Sequence, residues 1–167
     1  MISRRQLIAS SASIVAVAAM GGLFGLNRAR SAAPGEIFEV TKTEEEWRAV
    51  LTPEQYKVLR EEGTEYAGSS PLLKEHRPGT FNCAGCDLPL YSSETKYESG
   101  TGWPSFWAAM DGAVGTSEDN TLFMTRTEVH CRRCGGHLGH IFDDGPQPTG
   151  KRHCINGIAL NFRPASA

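Results

Sequence analysis

The sequence lacks an excess of positive charge over most of its length. Four of its 17 basic residues lie within the first 33 positions, and no acidic residue precedes Glu36. The remainder therefore has 13 basic against 19 acidic side chains, a net charge of −6. A protein that binds nucleic acid needs a clustered basic surface. The composition thus argues against a nucleic-acid partner.

Repeats, coiled-coil heptads and low-complexity tracts are also absent beyond residue 33. From Gly68 onward, glycine and proline separate apolar runs that are too short for helices, which indicates short strands. Helical spacing occurs before that point. There, the capping boxes Thr43–Glu46 and Thr52–Gln55 predict two short helices, with Trp47 and Tyr56 as their core anchors.

Three strands are the clearest in this part of the chain. Alternation of side chains predicts one strand from Thr121 to Val129 and another from Leu138 to Phe142. A third follows the loop 143–150. A continuous strand over 150–162 would place five side chains on one face, namely Cys154, Asn156, Ile158, Leu160 and Phe162.

Residues 1–33 form a compositionally separate segment. The pair Arg4-Arg5 precedes a run that has no charged residue until Arg28, and small residues follow. This pattern is typical of a twin-arginine export signal and predicts an exported, periplasmic protein with a single domain at 34–167. The alternative is a retained membrane anchor, because the uncharged run is long enough to span a bilayer.

Four of the five cysteines form two Cys-x-x-Cys pairs, Cys83/Cys86 and Cys131/Cys134. Two such pairs predict a four-thiolate structural zinc site, which has no open coordination position for catalysis. The long gap between the pairs implies that the metal ties distant segments together. The alternative for an exported protein is a pair of disulfides.

Cys154 is the cysteine without a partner, and it is our candidate nucleophile. Cationic neighbours lower the pKa of a thiol, and both Arg152 and His153 adjoin it. Asn156 would lie beside the thiol on the same strand face. The alternative is a buried structural cysteine, since free cysteine is among the most buried residue types.

Two further motifs carry side chains suited to chemistry. His137 and His140 follow the second cysteine pair, and His140 can serve as a hydrogen-bond donor or general acid. In the loop from Gly100 to Phe106, Trp103 suits a small apolar pocket for a methyl or methylene group. The alternatives are a core histidine satisfied by the backbone and a core tryptophan.

The motifs taken together resemble the methionine sulfoxide reductase B (MsrB) family from about Thr43 to Phe162. They occur in the family's order, and their combination is highly specific. The motifs are Cys83-x-x-Cys86, Gly102-Trp103-Pro104-Ser105-Phe106, Cys131-x-x-Cys134, His137 to Pro146 and Arg152-His153-Cys154-Ile155-Asn156.

The resemblance implies a mainly β fold of two antiparallel sheets with short N-terminal helices, stapled by a structural zinc. It implies reduction of methionine-R-sulfoxide, in oxidised proteins or peptides, to methionine. Its site residues would be Cys154 as nucleophile, with His140 and Asn156 around the substrate oxygen and the thiol. Trp103 would contact the methyl group, and the remaining substrate-binding residues would be His137, Phe142 and Arg152.

Three positions depart from the family pattern, namely Thr101, His153 and Gly157. Many members have a second cysteine at the position of Thr101, so we expect the Cys154 sulfenic acid to be recycled by an external thiol, supplied by a thioredoxin-like partner. We also expect a monomer. The alternatives are a zinc-organised binding module without catalysis and a Cys-His hydrolase, although the sequence has no nucleophile elbow.

Overall fold

The computed structural model describes residues 37–120 and 125–166. The expected export segment at 1–33 lies outside these residues. Within the described ranges, no helix has the length and apolar character that crossing a membrane requires.

Two short helices open the described chain, as the capping boxes predict. Helix α1 spans Glu44–Val50 and helix α2 spans Pro53–Glu61. At each N-terminus a threonine hydroxyl and the side chain three residues later satisfy each other's backbone N–H groups. Each such cap contributes about 1 kcal/mol. Trp47 and Tyr56 are buried, which confirms their prediction as anchors.

In the part of the chain that the structure describes, nine strands form two antiparallel sheets, and the predicted fold class is confirmed. The smaller sheet has the order β2-β1-β9, and the larger has the order β3-β4-β8-β7-β6-β5. The strands are β1 Gly79–Cys83, β2 Pro89–Ser92, β3 Lys96–Tyr97, β4 Ser105–Phe106, β5 Val114–Asp119, β6 Arg126–Cys131, β7 His137–Phe142, β8 Arg152–Ile155 and β9 Leu160–Pro164.

The core lies between the two sheets. Phe81 of the smaller sheet packs edge-on against Phe106 of the larger one, with 5.0 Å between ring centroids. Tyr91 stacks on Phe106 at 4.3 Å. All three rings have no exposed area. Helix α2 covers β7 and the turn that follows β8.

One strand prediction is wrong, and another is confirmed over part of its length. The stretch 150–162 is two strands rather than one, because a 3-10 turn at Gly157–Ala159 carries the chain from the larger sheet into the smaller one. Ile158, Leu160 and Phe162 therefore do not continue the face of Cys154. The strand expected over 121–129 is β6, which begins at Arg126; residues 121–124 lie outside the described ranges.

Candidate active site and metal centre

The four paired cysteines form one cluster, whose sulfur atoms all lie within 4.8 Å of one another. Cys83 ends β1 and Cys131 ends β6, so the cluster joins the two sheets. The Sγ–Sγ distance is 3.7 Å for Cys83 and Cys134, and 3.5 Å for Cys86 and Cys131. Tetrahedral zinc with bonds of about 2.3 Å places its sulfur ligands about 3.8 Å apart. The donor set thus fits a zinc ion.

The alternative of two disulfides finds no support in this geometry. All five cysteines are free thiols, and the short sulfur contacts run between the pairs rather than within them. The second pair turns through Gly135, which has a φ of 67°. Glycine enters this left-handed region without the steric cost of a Cβ.

Cys154 lies outside this cluster, in the middle of the larger sheet. It stands directly opposite Ser105 of β4 on one side and His140 of β7 on the other. Directly opposite residues project from the same face of a sheet. The same register continues outward to Tyr97 on β3 and to Glu128 on β6. One row of polar side chains therefore crosses the sheet through the thiol.

The electrostatic surroundings of Cys154 differ from the expectation. Burial raises the pKa of its thiol, while the charge of Arg152 and hydrogen bonds from Thr101 and Arg152 act to lower it. The prediction that His153 lowers the pKa of the Cys154 thiol is wrong. That side chain lies on the opposite sheet face, where burial and the charge of Lys151 lower its pKa to about 4. His153 is therefore neutral near pH 7.

His153 instead belongs to the core between the sheets. Its Nδ1 accepts a hydrogen bond from the hydroxyl of Tyr91 at 3.2 Å. Successive side chains of a strand point to opposite faces, so a residue adjacent to Cys154 cannot share its face. Arg152, two residues before Cys154, does share the face of the thiol, and it acts on the thiol through its charge and a hydrogen bond.

Arg152 is held by two contacts beside the thiol. Its Nε and Nη2 atoms each donate to the carboxylate of Asp144 at 2.9 Å. Its guanidinium lies over the ring of Phe142, 4.5 Å from the centroid. This bidentate pair lowers the pKa of Asp144. Asp144 was missed as a partner of Arg152 in the sequence, although it lies in the loop between β7 and β8 and Arg152 begins β8.

Each histidine of the site donates to a carboxylate. Nε2 of His140 donates to Oδ2 of Asp119 at 2.8 Å, and Nδ1 of His137 donates to Oε1 of Glu128 at 2.8 Å. An ionised carboxylate can only accept, so each contact selects a histidine tautomer. Burial lowers the pKa of His140, and the bond to Asp119 opposes that shift.

The carboxylates beside these histidines are further tied to the sheet. Burial acts to raise the pKa of Glu128, but hydrogen bonds from His137 and Ser117 outweigh it and lower the pKa to about 2. Nη2 of Arg126 donates to Oδ2 of Asp119 at 2.7 Å. A polar cavity of about 260 Å³ adjoins these groups. Asp119 and Glu128 carry no signal in the sequence beyond strand alternation.

Glu65 connects Trp103 with Asn156. Its backbone C=O accepts from Nε1 of Trp103 at 3.2 Å, and its backbone N–H donates to Oδ1 of Asn156 at 3.0 Å. Its carboxylate accepts from the N–H groups of Gly157 at 2.5 Å and Ile158 at 3.1 Å. Sequence reasoning missed Glu65 altogether.

Asn156 is buried and oriented at both ends of its amide. Nδ2 donates to the C=O of Leu138 at 3.0 Å, while Oδ1 accepts from Glu65. Asn156 therefore ties β8 to β7 and to the segment before Tyr66. Trp103 is half-buried, with its indole N–H committed to Glu65.

A larger groove of about 920 Å³ lies elsewhere, between α2 and β9. Its lining includes Glu65 and Gly157 but neither Cys154 nor Trp103. Cys154, our candidate nucleophile, does not line this groove, so the row of polar side chains through Cys154 is the better candidate for the chemistry.

Comparisons with known proteins point to one family. Residues 51–164 match the family described as the SelR domain. The chain is 53% identical over 127 residues to the peptide methionine sulfoxide reductase MsrB of Leptospira interrogans, covering 75% of this chain and 97% of that protein. It is 56% identical over 125 residues to the protein of the same name from Methanosarcina barkeri, covering 74% of this chain and 88% of that protein.

Proposed function

The chain belongs to the methionine sulfoxide reductase B family and reduces methionine-R-sulfoxide, and we propose that Cys154 is the nucleophile of this reaction. The observation that carries the proposal is the position of Cys154 in the sheet. It is the one thiol outside the four-cysteine cluster, it stands opposite His140, and Arg152 adjoins it.

The reaction transfers one oxygen atom from substrate to enzyme. The sulfur of Cys154, as thiolate, attacks the sulfoxide sulfur, and a protonated His140 provides the proton that the departing oxygen needs. This attack forms a bond between the two sulfur atoms. That S–S bond and the S–O bond of the substrate then break as the protonated oxygen bonds to the sulfur of Cys154. Methionine leaves, and Cys154 remains as sulfenic acid, the reversible first step of cysteine oxidation.

Asp119 supports His140 in this step. With Nε2–H bonded to Asp119, Nδ1 is the nitrogen that takes up and returns the catalytic proton. A carboxylate beside an imidazole fixes the tautomer and stabilises the imidazolium, as in hydrolase triads. Trp103 and Asn156, joined through Glu65, would hold the methyl group and the oxygen of the substrate.

The zinc ion is proposed as a structural element. Cys83, Cys86, Cys131 and Cys134 would hold it between the sheets, where a closed four-thiolate site contributes folding free energy. Nothing in the reaction depends on it directly.

Recycling is proposed to need an external thiol. Thr101 lies beside Cys154, and the other four thiols belong to the metal cluster. A thioredoxin-like dithiol would attack the sulfenic sulfur, release water and form a mixed disulfide, which its second thiol resolves. The natural substrates of the reductase would be oxidised exported proteins and peptides.

Export by the twin-arginine route to the periplasm is proposed from the segment 1–33, with membrane anchoring by an uncleaved signal as the alternative. Cell fractionation of the natural chain and of an Arg4/Arg5→Lys variant tests this. Retention of that variant in the cytoplasm is expected, and unchanged export would contradict the route.

The assay that tests the function uses the separate R and S epimers of methionine sulfoxide with dithiothreitol. We expect turnover of the R epimer, none of the S epimer, and no turnover by Cys154→Ser. If native Cys154 were inert to alkylation and no epimer were reduced, the binding-module alternative would be favoured.

A further inference from the structure

The hydroxyl of Tyr97 is buried, and among the described residues it has no hydrogen-bond partner. Most buried side-chain polar atoms do have one, and leaving one unsatisfied costs about 1–3 kcal/mol. Tyr97 lies in β3, at the edge of the larger sheet. The described protein groups thus leave this donor free to bind an acceptor that the protein itself does not provide.

The register of the sheet puts this hydroxyl on the face of the thiol. Tyr97 stands opposite Ser105, and Ser105 stands opposite Cys154. The phenol interacts electrostatically with Arg152, Asp144 and Cys154. Tyr97 therefore lies on the face of the thiol but two strands away from it across β4, on the side opposite to His140.

The neighbouring hydroxyls are already committed to one another. Oγ of Ser105 donates to the C=O of Trp103 at 3.1 Å and lies 2.7 Å from Oγ of Ser99. Oγ of Ser99 also lies 2.9 Å from Oγ1 of Thr101. The phenol of Tyr97 takes no part in these hydrogen bonds among hydroxyls, so it is available as a donor.

We propose that the Tyr97 hydroxyl donates a hydrogen bond to the oxygen that Cys154 carries as a sulfenic acid. This inference rests on the proposed function. The resting thiol has no oxygen, so the donor is unpaired until the substrate oxygen is transferred. The bond then slows further reaction of the Cys154 sulfenic acid until the external reductant arrives. This matters because Cys154 has Thr101 rather than a thiol beside it.

The test compares two tyrosine-to-phenylalanine variants of the zinc-loaded chain. Tyr97→Phe removes the proposed donor, while Tyr91→Phe removes a buried hydroxyl that is bonded to His153 on the opposite face. Each protein receives one equivalent of methionine-R-sulfoxide without reductant. The fraction of Cys154 that forms an adduct with dimedone is followed over time by mass spectrometry, and hydrogen peroxide is then added to measure conversion to sulfinic acid.

We expect the dimedone-reactive species of Tyr97→Phe to decay about two- to tenfold faster than in the natural chain, the range that one neutral hydrogen bond supplies. Oxidation to sulfinic acid should accelerate in parallel. Tyr91→Phe should match the natural chain in both measurements but lose thermal stability, whereas Tyr97→Phe loses no hydrogen bond of the resting protein and should keep its Tm.

Two outcomes would overturn the inference in distinguishable ways. Equal decay in the natural chain and in Tyr97→Phe, with methionine released by both, would overturn it alone. A natural chain that releases no methionine and forms no adduct would overturn the proposed function and this inference with it.

Discussion

Oδ2 of Asp119 accepts a hydrogen bond from Nε2 of His140, with 2.8 Å between the two atoms. The two residues are 21 positions apart, and β6 lies between their strands. The contact leaves Nδ1 of His140 for proton exchange, and it acts against the burial that lowers the pKa of His140. Asp119 is thus a positioning residue for the proposed acid.

Asp119→Asn should lower kcat/KM by about 10- to 100-fold, because a carboxamide neither fixes the tautomer nor stabilises the imidazolium. The reaction needs a protonated His140 and an ionised Cys154, which together carry one proton. Burial lowers the pKa of His140 and raises that of Cys154. The acidic limb of the pH profile follows the lower of the two pKa values and therefore reports His140. Without the Asp119 charge this limb should move to lower pH. Asp143→Asn, on the exposed loop beside Lys151, is the matched control. An unmoved limb would contradict the assignment.

Glu65 should act on substrate binding through Trp103 and Asn156. Glu65→Ala removes the acceptor of two backbone N–H groups, at Gly157 and Ile158, and should loosen both contacts of the Glu65 backbone. We expect KM for the R-sulfoxide to rise about three- to tenfold, with zinc content unchanged, in line with the loss of about 1 kcal/mol of positioning.

Glu65→Gln retains one acceptor oxygen and should give an intermediate KM. If both variants kept the natural KM while losing stability, Glu65 would be only a structural support.

Trp103→Phe should raise KM for the methyl sulfoxide, because the smaller ring lacks both the indole surface and the N–H that bonds to Glu65. We expect an increase of about three- to tenfold, which corresponds to about 1 kcal/mol. Trp107→Phe, another half-buried tryptophan four residues away, is the control and should leave KM unchanged. Equal kinetics of both variants would assign Trp103 to packing alone.

His153 should make folding stability depend on pH. Its folded pKa of about 4 lies below the ordinary 6.5, so the unfolded chain binds its proton more tightly. The stability from neutral His153 is present above pH 6.5 and is lost as pH falls toward 4, on the order of 2–3 kcal/mol. His153→Gln keeps an acceptor for Tyr91 and should flatten this part of the urea-unfolding profile. The control is His76→Gln at an exposed site; an unchanged slope would contradict the burial argument.

Metal removal should destabilise the fold without chemically altering the Cys154 thiol. Cys131→Ser, or treatment with a chelator, should lower Tm by about 10 °C or more, because metal binding at such sites is folding free energy. Cys154→Ser should retain one zinc ion per chain and the natural Tm. A metal-free natural protein with the same Tm would show that the cluster has no structural role.

Local patterns in the sequence predict the parts of this fold that depend on local physics. The capping boxes at Thr43 and Thr52 act within four residues, and both helices begin where the boxes place them. The cysteine pairs also predict their cluster, since two Cys-x-x-Cys turns have few other uses.

The corrections concern contacts between distant segments. The strand at 150–162 breaks because Gly157 packs against Ser70, where a Cβ would lie 1.9 Å from Oγ, and because Glu65 binds the turn. Neither contact can be predicted from the local sequence pattern, because each joins segments that are distant in the sequence. Asp119 likewise becomes a partner of His140 only through the order of strands. The orientation of His153 is predictable from the sequence, because strand alternation alone puts its side chain on the face opposite to that of Cys154.

The most direct test of the account is the outcome of one turnover without reductant. One equivalent of methionine-R-sulfoxide is added to the zinc-loaded chain, and released methionine, free thiols, zinc and dimedone adducts are counted together. We expect about one methionine per chain, an adduct on Cys154, and retained zinc, because the sulfenic acid has no neighbouring thiol. Loss of two thiols with zinc release and no adduct, or methionine release by Cys154→Ser, would contradict the account.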